Sequence, residues 1–130
     1  MRTLIRLLGA LVALFLIMMA GSMIASESGE VVTLRTPDPV TETRVWVVDE
    51  DGKQWLRAGS PSSSWLAAIQ KNPAVEAERD GNAATYTAVP DVASRDRIND
   101  LMAAKYGWAD AYIGMLFGRD DATPIRLDPR

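Results

Sequence analysis

Two Asp-Gly dipeptides constrain the fold of this chain more than any other feature of its sequence. Asp51-Gly52 and Asp80-Gly81 each separate two segments that have the composition of β-strands. A two-residue type I′ turn needs positive φ at both central positions, and Asp-Gly is among the dipeptides that favour it. The sequence therefore predicts two antiparallel hairpins, in which the numbers of paired residues sum to 103 and to 161.

The register of the first hairpin, between segments 41–48 and 53–59, assigns its side chains to two faces. Away from the turn, it pairs Trp46 with Arg57 and Val45 with Ala58. One face is apolar and is predicted to be core: Val45, Val47, Leu56 and Ala58. The other face mixes aromatic with basic side chains: Arg44, Trp46, Val48, Trp55 and Arg57. We expect the arginines of this second face to be exposed.

Prolines and serines delimit the next elements. A strand at 31–35 must end at the turn residues 37–39. A helix begins among the serines at 62–64, where a serine hydroxyl can cap the first turn. That helix ends at Asn72, because Pro73 disfavours helical geometry in the residue before it.

The C-terminal part of the chain predicts two helices and a strand. The first helix follows Pro90 and ends at Gly107, and a shorter helix covers 108–117. A final strand at 122–127 contains Pro124, which predicts a sheet edge or a bulge because proline cannot donate to the ladder. The order β-β-β-α-β-β-α-β excludes a parallel doubly wound sheet. The predicted fold class is α+β, a small and mainly antiparallel barrel of about six strands with two or three helices.

The N-terminal 25 residues differ in character from the rest. Residues 7–25 carry no charge, and a spanning helix needs about 20 apolar residues. We predict that residues 1–25 form one transmembrane helix or a signal segment, which contacts the lipid bilayer through residues 4–25. Because Arg2 and Arg6 lie near its start, the positive-inside rule predicts a cytoplasmic N-terminus and an extracytoplasmic domain.

Two interpretations of this segment stay open, an uncleaved anchor and a signal peptide cleaved near Ala20-Gly21-Ser22. The small polar residues 26–30 are predicted to form a tether, and residues 31–130 a single domain.

Composition excludes several kinds of chemistry. The chain has no cysteine and no histidine, so it has no disulfide, zinc-thiolate site, serine–histidine pair or histidine-ligated haem. Its acidic residues are not spaced for a metal cage, and no metal is expected. Two of the 14 basic residues lie within the first six positions, which leaves 12 basic against 17 acidic residues. We therefore expect no nucleic-acid partner.

Four passages carry a resemblance to a known superfamily: VVTLRT, ETRVWVVDEDGKQWLRAG, SPSSSWLAAIQKNPAVEAERDG and TPIRLDP. They resemble the split β-barrel proteins that include flavin reductases, pyridoxamine-phosphate oxidases and deazaflavin-dependent nitroreductases. In deazaflavin-type members, a small-residue loop, a tryptophan and an Asn-Pro follow the hairpin, and Gly59-Ser60, Trp65 and Asn72-Pro73 occupy those places. The turn after the first strand departs from the Gly-Arg-Xaa-Ser-Gly type that is common in nitroreductases.

The resemblance implies a bound FMN or deazaflavin whose phosphate lies near the serine loop, where a helix N-terminus also favours anions. The predicted cofactor-binding residues are Arg44, Trp46, Arg57, Ser60, Ser62, Ser63 and Trp65. Simpler interpretations compete for each of them: the serines as helix caps, the arginines stacked on tryptophan in solvent, and Trp65 as core. No residue identifies a catalytic group or the small-molecule electron acceptor.

Two functional hypotheses follow. The first is a membrane-tethered oxidoreductase of the nitroreductase or quinone-reductase type, in which the cofactor supplies the redox chemistry. The second is a membrane-anchored split-barrel module without a cofactor, which serves in binding or as a structural unit. The resemblance also implies a homodimer with the cofactor at the subunit boundary, and its candidate contact residues are Trp55, Trp108 and Phe117.

Overall fold

The computed structural model of the chain describes residues 1–26, 29–37 and 39–130. Its strands are β1 (Val31–Pro37), β2 (Val40–Glu50), β3 (Lys53–Ala58), β4 (Ala74–Arg79), β5 (Asn82–Pro90) and β6 (Thr123–Pro129). Its helices are α1 (Arg2–Ser26), α2 (Ser64–Lys71), α3 (Arg95–Tyr106) and α4 (Trp108–Phe117), with a 3-10 turn at Val92–Ser94 before α3. The predicted order of strands and helices is confirmed.

The six strands close into an antiparallel barrel in the order β1-β2-β3-β6-β5-β4. Strand β1 closes it by pairing with β4, and β6 lies between β3 and β5. The predicted α+β class, with a small antiparallel barrel, is therefore confirmed.

Both hairpins have the predicted registers. Val48 pairs with Trp55 in the first hairpin, and Val75 pairs with Tyr86 in the second. The φ angles are 53° and 75° at Asp51-Gly52 and 52° and 78° at Asp80-Gly81, as a type I′ turn requires.

The first hairpin differs from the prediction at its far end. The β2–β3 ladder extends from the turn only to Val47–Leu56, so the predicted pairs Trp46–Arg57 and Val45–Ala58 are wrong. Beyond that point β2 continues its pairing with β1, while β3 continues with β6. Beyond Val47–Leu56, β2 and β3 are therefore no longer paired with each other.

Two apolar clusters lie on opposite sides of the β2–β3 hairpin. The barrel interior receives its apolar side chains from every strand and from α2: Val32, Leu34, Val45, Val47, Leu56, Ala58, Trp65, Leu66, Ile69, Val75, Ala77, Ala88, Ile125 and Leu127. The outer cluster joins the hairpin to α3 and α4: Trp46, Val48, Trp55, Ile98, Met102, Tyr106 and Ala109. Of the mixed face predicted from the sequence, Trp46, Val48 and Trp55 are therefore covered by helices, whereas Arg44 is exposed.

Pro124 does not lie at a sheet edge. It is the second residue of β6, is completely buried, and pairs with Arg57 of β3. Its carbonyl accepts a hydrogen bond from the backbone N–H of Asp91, the residue that follows the last residue of β5. The N–H group that Pro124 lacks would therefore lie at the end of the β5–β6 ladder. A proline at the start of a central strand therefore removes few backbone hydrogen bonds from the closed barrel.

The N-terminal helix α1 packs with its C-terminal end against α4. Its segment Arg2–Ser22 is long and apolar enough to cross a membrane. The Tyr112 hydroxyl of α4 donates a hydrogen bond to the Met18 carbonyl at 3.0 Å. A Cβ at Gly21 would collide with the same hydroxyl, so only glycine allows this approach. Of the predicted tether, residues 27 and 28 lie outside the described part of the chain.

Candidate functional site

A cavity of about 220 Å³, called here the tryptophan cavity, lies beside the ends of β2 and β3 that do not pair with each other. It is lined by residues of β2, of β3 and the loop after it, of α2 and of α4: Thr43, Arg44, Val45, Trp46, Arg57, Gly59, Trp65 and Ile113. Four of these were predicted from the sequence as cofactor-binding residues: Arg44, Trp46, Arg57 and Trp65.

A second cavity of about 430 Å³, the serine cavity, adjoins the first. It shares Arg57, Gly59 and Ile113 with the tryptophan cavity and adds further residues: Ser60, Ser63, Phe117, Gly118, Arg119 and Ala122. Of the predicted serines, Ser60 and Ser63 therefore line it. Ser62 does not line either cavity, and its hydroxyl lies 2.8 Å from that of Ser60.

The serine loop is held by contacts within itself. Ser63 N donates to Ser60 O at 3.1 Å, and Ser62 N donates to Ser60 Oγ at 3.2 Å. Ser63 is the N-cap residue of α2, but no side-chain oxygen caps that helix. The predicted serine cap is therefore wrong, and the first-turn N–H groups of α2 lie beside the serine cavity without a hydroxyl cap.

Arg57 is not the exposed arginine that the sequence predicts. Its side chain is only 8% exposed, and Nη2 donates to Asp110 Oδ1 at 2.7 Å. Nη1 donates to Asn99 Oδ1 at 3.1 Å, and the guanidinium lies 5.9 Å from the centre of the Trp46 ring. Arg57 therefore joins the hairpin to α3 and α4, and its positive charge is already neutralised.

Asp110 is completely buried at the wall of the site. Its second oxygen, Oδ2, lies 3.1 Å from Arg119 Nη1, although no hydrogen bond of good geometry reaches that oxygen within the described residues. One buried carboxylate thus faces two arginines, Arg57 and Arg119. The group of three carries a net charge of about +1, which favours an anionic ligand beside it.

The two tryptophans have different surroundings. Trp65 belongs to the barrel core, as one interpretation of the sequence predicts, and its side chain also lines the tryptophan cavity. Trp46 stacks on Tyr106 with ring centres 4.3 Å apart and an angle of 8° between the planes. That stack fixes the orientation of the Trp46 ring in the cavity wall.

Tyr106 links the wall of the site to an ion-pair cluster where the domain begins. Its hydroxyl donates to the Glu30 carbonyl at 2.6 Å and accepts a hydrogen bond from Val47 N at 3.0 Å. Burial raises the pKa of Tyr106.

In that ion-pair cluster, Arg79 contacts both oxygens of Glu30 and both of Asp49 at 2.8–2.9 Å. Hydrogen bonds from Arg79 and Lys105 lower the pKa of Glu30 to about 2.

A separate cavity of about 340 Å³ lies beside Arg35. Its arginine already contacts three carboxylates, those of Glu42, Glu76 and Glu78, at 2.9–3.1 Å. This cavity therefore offers an anionic ligand no available cation. Within the described residues, no group of three acidic side chains could hold a metal ion.

The predicted set of cofactor-binding residues does not include Asn99, Asp110, Ile113 or Arg119. One signal could have found Asp110, since it is the only charged residue in the apolar α4 sequence WADAYIGMLF. A charge on such a helix needs a partner if it is buried.

Comparison with known proteins identifies the fold. No protein-family model matches the chain, and no curated protein matches it significantly. A pyridoxamine 5′-phosphate oxidase-like protein from Listeria innocua superposes with a TM-score of 0.59 and 13% identity, over 83% of this chain and 90% of that one. The chain has the split β-barrel fold. An F420-H2 dependent reductase gives a TM-score of 0.58 with 19% identity, over 75% of this chain and 93% of that one.

A third split-barrel neighbour is HutZ, the haem storage protein of Vibrio cholerae. It superposes with a TM-score of 0.60 and 14% identity, over 82% of this chain and 85% of that one. At these identities the three likenesses show the fold alone. The three proteins are named as an oxidase, a reductase and a storage protein, so proteins with this fold differ in function.

Proposed function

We propose that the chain is a membrane-tethered oxidoreductase of the nitroreductase or quinone-reductase type, which binds FMN or a deazaflavin in the two adjoining cavities. The observation that carries the proposal is the junction of an aromatic cavity with a hydroxyl-lined, cationic one. Small-molecule sites commonly combine an apolar wall with a few precisely placed polar groups, in a cavity whose volume is about 300–1,000 Å³.

The residues present fit such a cofactor. The planar ring system would lie in the tryptophan cavity beside Trp46 and Trp65, with Arg44 at its rim. The phosphate would lie in the serine cavity, near Ser60, Ser63 and Arg119 and close to the N-terminus of α2. When bound, the cofactor supplies the hydride chemistry, and the protein contributes orientation and electrostatics.

This assignment revises the role of two residues predicted from the sequence. Arg57 acts as a positioning residue, because its guanidinium already contacts Asp110 and Asn99. Arg119 takes its place as the cation for the phosphate, since its side chain is about one third exposed and lines the serine cavity. Ser62 serves the site only by holding Ser60.

The structural neighbours support a redox cofactor, and one of them supports a deazaflavin in particular. One of them is a reductase that depends on reduced F420, a deazaflavin. The haem of HutZ gives the proposal less support, because this chain has neither histidine nor cysteine, the two residues that ligate haem iron in globins, peroxidases and P450 enzymes. A flavin or deazaflavin needs no such ligand.

One observation favours a second candidate function, a membrane-anchored split-barrel module without a cofactor. The buried Arg57 at the site is neutralised within the protein by Asp110, and Arg119 also lies against the second oxygen of that carboxylate. A site that has lost its anionic ligand could be stabilised in this way.

Cofactor titration of the full chain in detergent micelles separates the two functions. We expect FMN or a deazaflavin to quench the intrinsic fluorescence, because Trp46 and Trp65 line the proposed ring site. Arg119→Ala should weaken binding about 10- to 100-fold, since a charge-assisted hydrogen bond contributes about 1.5–3 kcal/mol.

Arg97→Ala is the matched control, because Arg97 is an exposed α3 arginine that also pairs with a carboxylate, that of Glu50. Equal affinity in the wild type and both variants would refute the phosphate site. Failure of the wild type to bind either cofactor would establish the cofactor-free module.

A further inference from the structure

Helix α4 carries its charge inward and its apolar side chains outward. Its single charged residue, Asp110, is completely buried, whereas Trp108 is 61% exposed and Met115 is 74% exposed. With exposed Ala111, these two residues form a stripe at helical spacing, called here the outer stripe. A surface helix of a water-soluble domain normally presents polar residues on that side.

The position of α4 relative to α1 indicates what covers the outer stripe. Tyr112 lies one residue from Ala111 on α4 and bonds the Met18 carbonyl of α1. Met18 lies four residues before the end of the apolar segment Arg2–Ser22, which corresponds to about 6 Å along the helix axis. Tyrosine and tryptophan are enriched where a membrane meets water. The contact thus holds α4 near the end of the proposed span.

We propose that α4 is an interfacial helix, whose outer stripe lies in the headgroup–acyl boundary of the bilayer that α1 spans. The proposal rests on α1 being a membrane segment, and it is independent of cofactor binding. Interfacial helices bury their apolar face about 5–10 Å into that boundary. The α4 sequence contains no lysine or arginine, so this contact depends on apolar burial rather than on anionic lipid.

This placement competes with the expected homodimer for the same surface. Of the three side chains predicted to form a dimer contact, Trp55 is buried under α3 in its own chain. Trp108 lies in the outer stripe, and Phe117 lines the serine cavity. If α4 contacts lipid in this way, a homodimer would form through a surface other than the outer stripe.

Site-directed spin labelling of the full chain in phosphatidylcholine vesicles tests the proposal, because the chain has no cysteine and each introduced one is unique. The labelled variants are Met115→Cys on the outer stripe, Leu11→Cys in α1 and Val40→Cys at the distal end of the β1–β2 hairpin. All three positions are exposed, so labelling leaves the core intact. Val40 is the matched control, an exposed apolar residue about 20 Å along the hairpin from Val31.

We expect the labels at 11 and 115 to collide with oxygen and to be shielded from a water-soluble nickel chelate. The label at 40 should show the opposite. The accessibility at 115 should not change when anionic lipid or salt is added. A label at 115 that is as accessible to the chelate as the label at 40, while that at 11 is shielded, would overturn the proposal.

Two further outcomes are also decisive. Spin–spin broadening at 115 that disappears on dilution with unlabelled chain would show that a second copy covers the stripe, and would overturn the lipid assignment. A label at 11 that is open to the chelate would overturn both the anchor and the interfacial helix. Cofactor titration of the same vesicles reports separately on the proposed oxidoreductase function.

Discussion

Replacing Asp110 by alanine should destabilise the domain more than a surface substitution does, because the change leaves Arg57 buried beside α4 without its counter-charge. Removing one partner of a buried ion pair typically costs about 3–5 kcal/mol. Arg57 keeps its hydrogen bond to Asn99, and the half-buried Arg119 can turn toward water. We therefore expect a loss of about 3 kcal/mol, out of the roughly 5–15 kcal/mol that stabilise a typical domain.

Denaturant unfolding of the full chain in detergent micelles, followed by tryptophan fluorescence, measures this loss. The signal is sensitive to the site, because Trp46 stacks on Tyr106 beside Arg57. Asp100→Ala, at an exposed position on α3, is the control and should change the unfolding free energy by no more than about 0.5 kcal/mol.

A double variant separates the effect of charge from that of packing. Replacing both partners of a buried ion pair by apolar residues of similar size is often neutral or stabilising. Arg57→Met with Asp110→Leu should therefore recover most of the stability lost in Asp110→Ala. The reasoning fails if Asp110→Ala unfolds like the control, or if the double variant is no more stable than the single one.

Three further predictions concern the anchor and the start of the domain. A reporter fused after Arg130 should be active only when exported, and activity of a cytoplasm-only reporter would reverse the proposed topology. Gly21→Leu should separate α1 from Tyr112, because no side chain fits there, and a spin label at Met115 should become more mobile. Lowering the pH from about 4.5 toward 2 should reduce the melting temperature, since Glu30 has a folded-state pKa of about 2 against 4.5 in its ordinary state and loses its bonds as it is protonated. Glu30→Gln should be less stable above pH 4.5 and should lose that part of the pH dependence.

The parts of the fold that could be predicted from the sequence are those that local chemistry determines. The backbone preference of Asp51-Gly52 sets the register of a whole hairpin, since each later pair follows from the first. Pro73 likewise ends α2 within one residue of the prediction, since Lys71 is the last helical residue and Asn72 is the C-cap. In both cases the decisive interaction lies within a few residues of the signal, so no knowledge of the tertiary structure is needed.

The arrangement of the candidate site depends on contacts between residues that are distant in sequence, so it could not be predicted from local patterns. The pair of Arg57 and Asp110 joins residues 53 positions apart, so the hairpin pattern alone left Arg57 on an exposed face. Burial of Trp55 depends in the same way on α3, which covers the outer side of the hairpin. The sequence did place Arg44, Trp46 and Trp65 near one another, because β2, β3 and α2 follow one another along the chain.

The position of the last strand, between two strands that precede it in the sequence, has a consequence for how the protein is made. Strand β6 pairs with β3 on one side and with β5 on the other, and it ends at Pro129. Until those residues have emerged from the ribosome, both neighbours present unpaired backbone edges that can associate with other chains. The domain must therefore acquire its fold after synthesis of β6, and a chain that stops before Thr123 should aggregate or be degraded, even though α1 is complete from the start.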